Sequence, residues 1–146
     1  MGIDYGTKRI GLAIGDAEAA IASPLTTVEA AGDPAAQIGR IIRALRDYDV
    51  DQWVVGLPLN MDGSDSQQTR LTRRFAEALG KRVGQSVHLW DERLSSRQAD
   101  EHLAEAQLTL KKRKARRDRL AAQIILQSFL DAGGEDALPH DAPTTS

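Results

Sequence analysis

The chain contains no cysteine, which excludes disulfides and thiolate metal sites and makes the reducing cytoplasm the expected compartment. It also lacks any apolar run near the ~20 residues needed to span a bilayer, so no membrane partner is expected. The N-terminus lacks the basic and apolar regions of a signal peptide. No internal repeat is present. His88, His102 and His140 show no ligand spacing, so no histidine is assigned a metal. What remains is the composition of an ordinary globular domain, 41% apolar and 27% charged over 146 residues. That length supports one domain with a sizeable core.

The net charge of -2 conceals an asymmetry. In KKRKARRDR, residues 111 to 119, seven of nine residues are basic and one, Asp118, is acidic. Setting those eight charges apart from the 19 basic and 21 acidic residues leaves 12 and 20, a body at -8. A cationic patch on an acidic body points to a localised polyanion contact. The plainer alternative is a solvated basic loop.

Along the chain, residues 1 to 16 read as two short strands around a Gly-Thr-Lys turn, with Ile10, Leu12 and Ile14 in alternation. A third strand spans Ile21 to Val28, its Pro24 marking an edge or a bulge. Asp33-Pro34 opens a helix whose Ile38, Ile41, Ile42 and Leu45 share a face. Gln52 to Leu57 is nearly all apolar, as a central strand buried on both faces would be. A polar loop, Pro58 to Asp65, leads to a helix over about Ser66 to Arg82 and a fifth strand ending at Trp90. A helix is predicted over Ser96 to Ala106, with Ser95 and Gln98 as capping box, and a last one from near Arg116 or Arg117 to about Ala132. Residues 111 to 116 are expected to be mobile. The order predicts an α/β domain over residues 1–132, a mixed five-stranded sheet with helices on both faces, and a disordered tail over 133–146. It matches the strand order of the ribonuclease H-like fold.

Four acids stand out. Asp4 lies inside the first strand, where aspartate is disfavoured. It is either a ligand or base at the centre of the sheet, or an edge carboxylate bonded to the turn at Thr7 and Lys8. Asp91 and Glu92 leave the end of the fifth strand, where ligands of open α/β sheets gather. Neighbours in extended chain point to opposite sides, so one faces inward and the other pairs with an arginine. A solvated turn is the alternative. With a helix start near Arg116, Asp118 shares a stripe with Ala121, Ala122, Ile125 and Phe129, in the first turn and facing the sheet. As alternative, Asp118 is the N-cap, worth only ~1 kcal/mol. Three carboxylates from separate parts of the chain suit Mg²⁺ or Mn²⁺, and a pair of such ions promotes phosphodiester hydrolysis. The neighbouring cations would then hold phosphates against that centre.

DYGTKRIGLAIGD at 4–16, VVGLPLNMDGS at 54–64, DERLSS at 91–96 and RDRLAAQIILQSFL at 117–130 together resemble the YqgF/RuvX family. These are bacterial proteins related to Holliday junction resolvases and associated with processing of pre-16S ribosomal RNA. The resemblance implies a metal-dependent nuclease with a ribonuclease H-like fold, acting on rRNA precursor or structured DNA as a monomer or homodimer. It places Asp4, Glu92 and Asp118 as catalytic metal ligands for Mg²⁺ or Mn²⁺, with Asp91 assisting. It implies nucleic-acid contacts from Lys8, Asn60, Arg93, Lys111, Lys112, Arg113, Lys114, Arg116 and Arg117. Two features depart from the family pattern. The first strand has about four residues, short for the centre of a sheet. The cations before Asp118 are denser than the pattern requires.

Two other classes compete. A nucleic-acid-binding or ribosome-assembly factor without chemistry would use the same basic run and no metal. An actin-like ATPase would use Asp4-x-Gly6-Thr7 for phosphates. Such enzymes need two lobes, and Gly56 to Gly63 does not fit a P-loop.

Overall fold

The computed structural model describes residues 1–94 and 110–133, with the side chains of all of these except 110–119. Strands β1 (Gly2–Tyr5), β2 (Arg9–Asp16) and β3 (Ile21–Glu29) form an antiparallel meander. There follow α1 (Pro34–Ala44), β4 (Gln52–Leu57), α2 (Gln67–Val83) and β5 (Ser86–Asp91). A 3-10 turn at Glu92–Leu94 and α3 (Leu110–Asp131) complete the described chain. The sheet order is β3-β2-β1-β4-β5, and β4 runs parallel to both β1 and β5. The three parallel strands therefore end together, at Tyr5, Leu57 and Asp91. The predicted helix over 96–106 and all but the first residue of the 133–146 tail lie outside the described residues.

Strand periodicity decides which side chain meets which layer. Along β4, Trp53, Val55 and Leu57 enter the core with α1 and α2, where Ile38, Ile41, Phe75 and Leu79 are buried. Val54 faces the opposite way, into a second core with Trp90, Ala122, Ile125, Leu126 and Phe129 of β5 and α3. Burial on both faces explains the near-continuous apolar run of β4. Pro24 sits on β3, the edge strand, close to a register shift between Leu12 and Ala13. An edge tolerates a residue that cannot donate to the ladder.

Asp33 caps α1 by accepting from the Ala36 amide at 2.9 Å, with Pro34 opening the helix. Ser66 caps α2, and its capping box is completed by Thr69 rather than by a Glu or Gln. The helix ends on Gly84, left-handed at φ 65°.

The last helix differs from the sequence expectation. It begins at Leu110, so the basic residues 111–117 belong to it rather than preceding it. Asp118 lies in its third turn, neither at the N-cap nor in the first turn. Lysine and arginine are good helix formers, and no glycine or proline interrupts residues 110–131. The cations extend the helix instead of preceding it. From Leu120 onward α3 lies on the sheet. A Cβ on Gly2 would come 2.7 Å from Leu126 Cβ and 2.9 Å from the Ala122 carbonyl, so glycine sets how closely helix and sheet approach. Gln127 fixes the helix lengthwise, accepting from the Ala22 amide at 2.9 Å and donating to the Ala20 carbonyl at 2.8 Å.

Candidate active site

The site forms where β1, β4 and β5 end. Asp4 is on β1, paired in register with Gly11 of β2. As β1 is flanked by β2 and β4, Asp4 stands inside the sheet, not at an edge. Gly2 faces α3, so alternation places Asp4 on that face too. The turn after it is tightly held. Gly6 donates to the Arg9 carbonyl at 3.1 Å, and a Cβ there would lie 2.5 Å from that oxygen. Gln68 of α2 donates to the Tyr5 carbonyl at 3.0 Å. The Tyr5 ring stacks on Phe75 at 4.3 Å, while its hydroxyl donates to Gln37 at 2.9 Å. Lys8 is exposed at the tip of the turn.

Glu92, in the turn beyond β5, folds back over β4 and shares a hydrogen bond with Asp4. Burial, and then the negative charge of Asp4, push the Glu92 carboxyl up from 4.5 to about 9. The neighbouring charge of Asp91 adds to the shift. Two carboxyls held together with one retained proton form a hard-oxygen donor pair. It suits Mg²⁺ or Mn²⁺, whose positive charge would replace that proton.

Asp91 and Arg93 take the other direction. Asp91 is only 6% exposed. The Arg93 guanidinium grips both its oxygens, Nε at 3.1 and 3.0 Å and Nη2 at 2.7 Å, and the Arg93 amide adds a fourth bond at 2.9 Å. Asp91 in turn raises the arginine's pKa. The fork's remaining nitrogen, Nη1, donates to the Met61 carbonyl at 3.1 Å. Arg93 thus ties the end of β5 to the loop after β4.

That loop, residues 58–65, is internally bonded. Asn60 donates its amide to the Ser64 carbonyl at 2.9 Å and its side-chain nitrogen to Ser64 Oγ at 3.0 Å. Gly63 closes the turn onto the Asn60 carbonyl at φ 87°. Asp62 accepts from the Ser64 hydroxyl and amide, which lowers its pKa. Thr69 Oγ1 anchors the loop to α2 by donating to the Pro58 carbonyl, and Arg73 pairs with Asp65 at 3.0 Å. Met61, at the tip, is 92% exposed.

The structure therefore brings Asp4 and Glu92 together, and turns Asp91 into the partner of Arg93. Asn60 is bonded within its own loop. The side chains of Asp118, Lys111, Lys112, Arg113, Lys114, Arg116 and Arg117 lie outside those described. Their helix is placed, however. Ile125 packs beside Gly56 and Glu92, and residue 118 precedes it by about two turns, roughly 10 Å along the axis. Among the described residues, no group of three or more acids or histidines is close enough to hold a metal. Sequence reasoning missed Gly56, Thr69 and the hold of Arg93 on Met61; of these, only Thr69 had a local signal, three residues after Ser66.

The sheet order, with an acidic pair where the parallel strands end, defines an α/β domain of the ribonuclease H-like fold. A solved structure of Thermus thermophilus RuvC in complex with a Holliday junction substrate shares this fold. Its TM-score is 0.54 at 18% identity, covering 95% of this chain and 98% of that one. The chain belongs to the RuvX family, described as Holliday junction resolvase, which matches residues 1–132. Two relatives bear the name "Putative pre-16S rRNA nuclease". The one from Syntrophus aciditrophicus is 41% identical, covering 97% of this chain and 94% of its own length. The one from Chloroflexus aurantiacus is 43% identical, covering 100% and 95%.

Proposed function

We propose that this protein is a divalent-metal-dependent nuclease that cleaves phosphodiester bonds in the precursor of 16S ribosomal RNA, in the cytoplasm. The observation that carries this reading is the Asp4–Glu92 carboxyl pair at the ends of the parallel strands. The family and the names of the relatives support the reaction and its substrate. Structured DNA is the second substrate class, favoured by the family description alone.

Asp4, Glu92 and Asp118 hold Mg²⁺ or Mn²⁺ in this reading. Once bound, such an ion neutralises charge on the phosphate and makes water a better nucleophile. Glu92 keeps its proton until the cation arrives and then releases it. Asp91 keeps Arg93 in place, and Arg93 and Thr69 hold loop 58–65 at the mouth. Lys8 and the cations of α3 bind the nucleic-acid backbone. Neutral amides at the acids would keep the shape and remove the charge that holds the cation.

The test is a cleavage panel in Mn²⁺ with pre-16S rRNA fragment, single-stranded RNA, single-stranded DNA and a four-way junction. Wild type cuts the rRNA fragment, and Asp4→Asn, Glu92→Gln and Asp118→Asn each lose about 100-fold or more. Salt-sensitive binding without cleavage in any divalent ion would instead show a binding factor without chemistry.

A further inference from the structure

Between the two carboxylates, β4 carries no side chain. Val55 is level with Ile3, and Gly56 is level with Trp90, so Gly56 occupies the strand position between Asp4 and the end of β5. A Cβ at residue 56 would lie 2.5 Å from Ile125 Cδ1, 2.8 Å from Glu92 Oε1 and 2.9 Å from Glu92 Cγ. Its backbone is not left-handed, so no turn geometry demands glycine there. Glycine inside a buried strand weakens the sheet, and its presence signals that another group needs the space. Here two groups do, the tip of Ile125 and the side chain of Glu92.

We infer that Gly56 is a positioning residue of the active site: the vacancy above it lets Glu92 lie across β4 and meet Asp4. The inference rests on reading that pair as the cation site. A purely structural alternative is that Gly56 only gives α3 clearance through Ile125. The two contacts can be separated, because Ile125→Val deletes the Cδ1 methyl and leaves Glu92 untouched.

Four full-length proteins decide it: wild type, Gly56→Ala, Ile125→Val and Gly56→Ala/Ile125→Val. The readouts are the metal-free Tm, the Tm shift on adding Mn²⁺, cleavage of the rRNA fragment and metal-free crystal structures. Gly56→Ala is expected to lower Tm, and adding Ile125→Val to recover most of that loss. The double variant nevertheless stays about 100-fold slower in cleavage, as a displacement of about 1 Å at a catalytic group produces. It also loses the Mn²⁺ shift, which Ile125→Val alone retains. A double variant that regains both the shift and wild-type cleavage would overturn the inference and leave Gly56 as clearance for α3. Should wild type itself show no Mn²⁺ shift, the cation reading fails separately. Gly56 is then judged on the crystal structures, where a broken Asp4–Glu92 contact in the double variant supports the inference and an intact one refutes it.

Discussion

Arg93 holds Asp91 at 2.7 Å and, with the opposite side of its guanidinium, the carbonyl of Met61 at 3.1 Å. Only a planar fork can serve both partners, because lysine is a single point of charge. Arg93→Ala should lower Tm by several degrees, since it strips a buried carboxylate of its partner. Arg93→Lys should restore part of Tm but not the loop, and protease cutting within 58–65 should stay faster than in wild type. Equal protease resistance in Arg93→Lys and wild type would show that the Met61 contact does not hold the loop.

The pH dependence of the metal-free protein follows from Glu92. Its folded pKa, about 9, lies above the ordinary 4.5, so the folded chain retains a proton that the unfolded chain gives up. That contribution to stability is complete below pH 4.5 and is lost as pH rises through about 9. Glu92→Gln removes the titration. Its metal-free Tm should exceed that of wild type at pH 8, on the order of 10 °C, with the gap closing toward pH 5. Thermal melts across pH 5–9 read this directly, and parallel curves would rule it out.

Mn²⁺ should bind with release of that same proton. Its affinity for wild type is expected to rise with pH between 6 and 9, about tenfold per unit where one proton leaves. Calorimetry in buffers of different ionisation heat counts the proton. A count of zero at pH 7 would mean that Glu92 is already ionised.

Thr69 is fully buried, and its hydroxyl serves both the Pro58 carbonyl and the Ser66 amide. Thr69→Val keeps the shape and orphans both. The cost should be about 1–3 kcal/mol in urea unfolding, with faster hydrogen exchange at Ser66. Unchanged exchange there would mean that the cap is supplied by something else.

Charge on α3 should appear as salt dependence. Changing Lys111, Lys112, Arg113 and Lys114 to glutamine should weaken binding of single-stranded RNA evenly across sequences. The slope of log Kd against log salt should fall by about 0.7 for each phosphate no longer neutralised. Fluorescence anisotropy at four salt concentrations measures it, and an unchanged slope would take these residues out of the interface.

Much of this was legible in the sequence, for local reasons. The span of β4 follows from its apolar run, and the start of α1 from Asp33-Pro34, because both signals act on neighbouring residues. Alternation in extended chain suggests that Asp91 and Glu92 part company, but it does not say which takes the arginine, because Glu92 lies in the 3-10 turn beyond β5. The start of α3 was not legible, because a run of lysine and arginine reads equally as an exposed loop or a helix. The role of Gly56 was also hidden, since the groups that need its space, Ile125 and Glu92, come from distant parts of the chain. Nothing in the sequence around Arg93 indicates that its third nitrogen reaches Met61.

The hold of Gln127 on the Ala20 and Ala22 backbone makes α3 a ruler with its zero mark on the β2–β3 hairpin. Each residue along it advances about 1.5 Å and turns 100°. Substitutions leave the graduations where they are, whereas a residue inserted between 118 and 122 would swing Asp118 and every cation before it a quarter-turn or more around the axis. The segment from 118 to 127 should therefore be constrained in length more strictly than in composition.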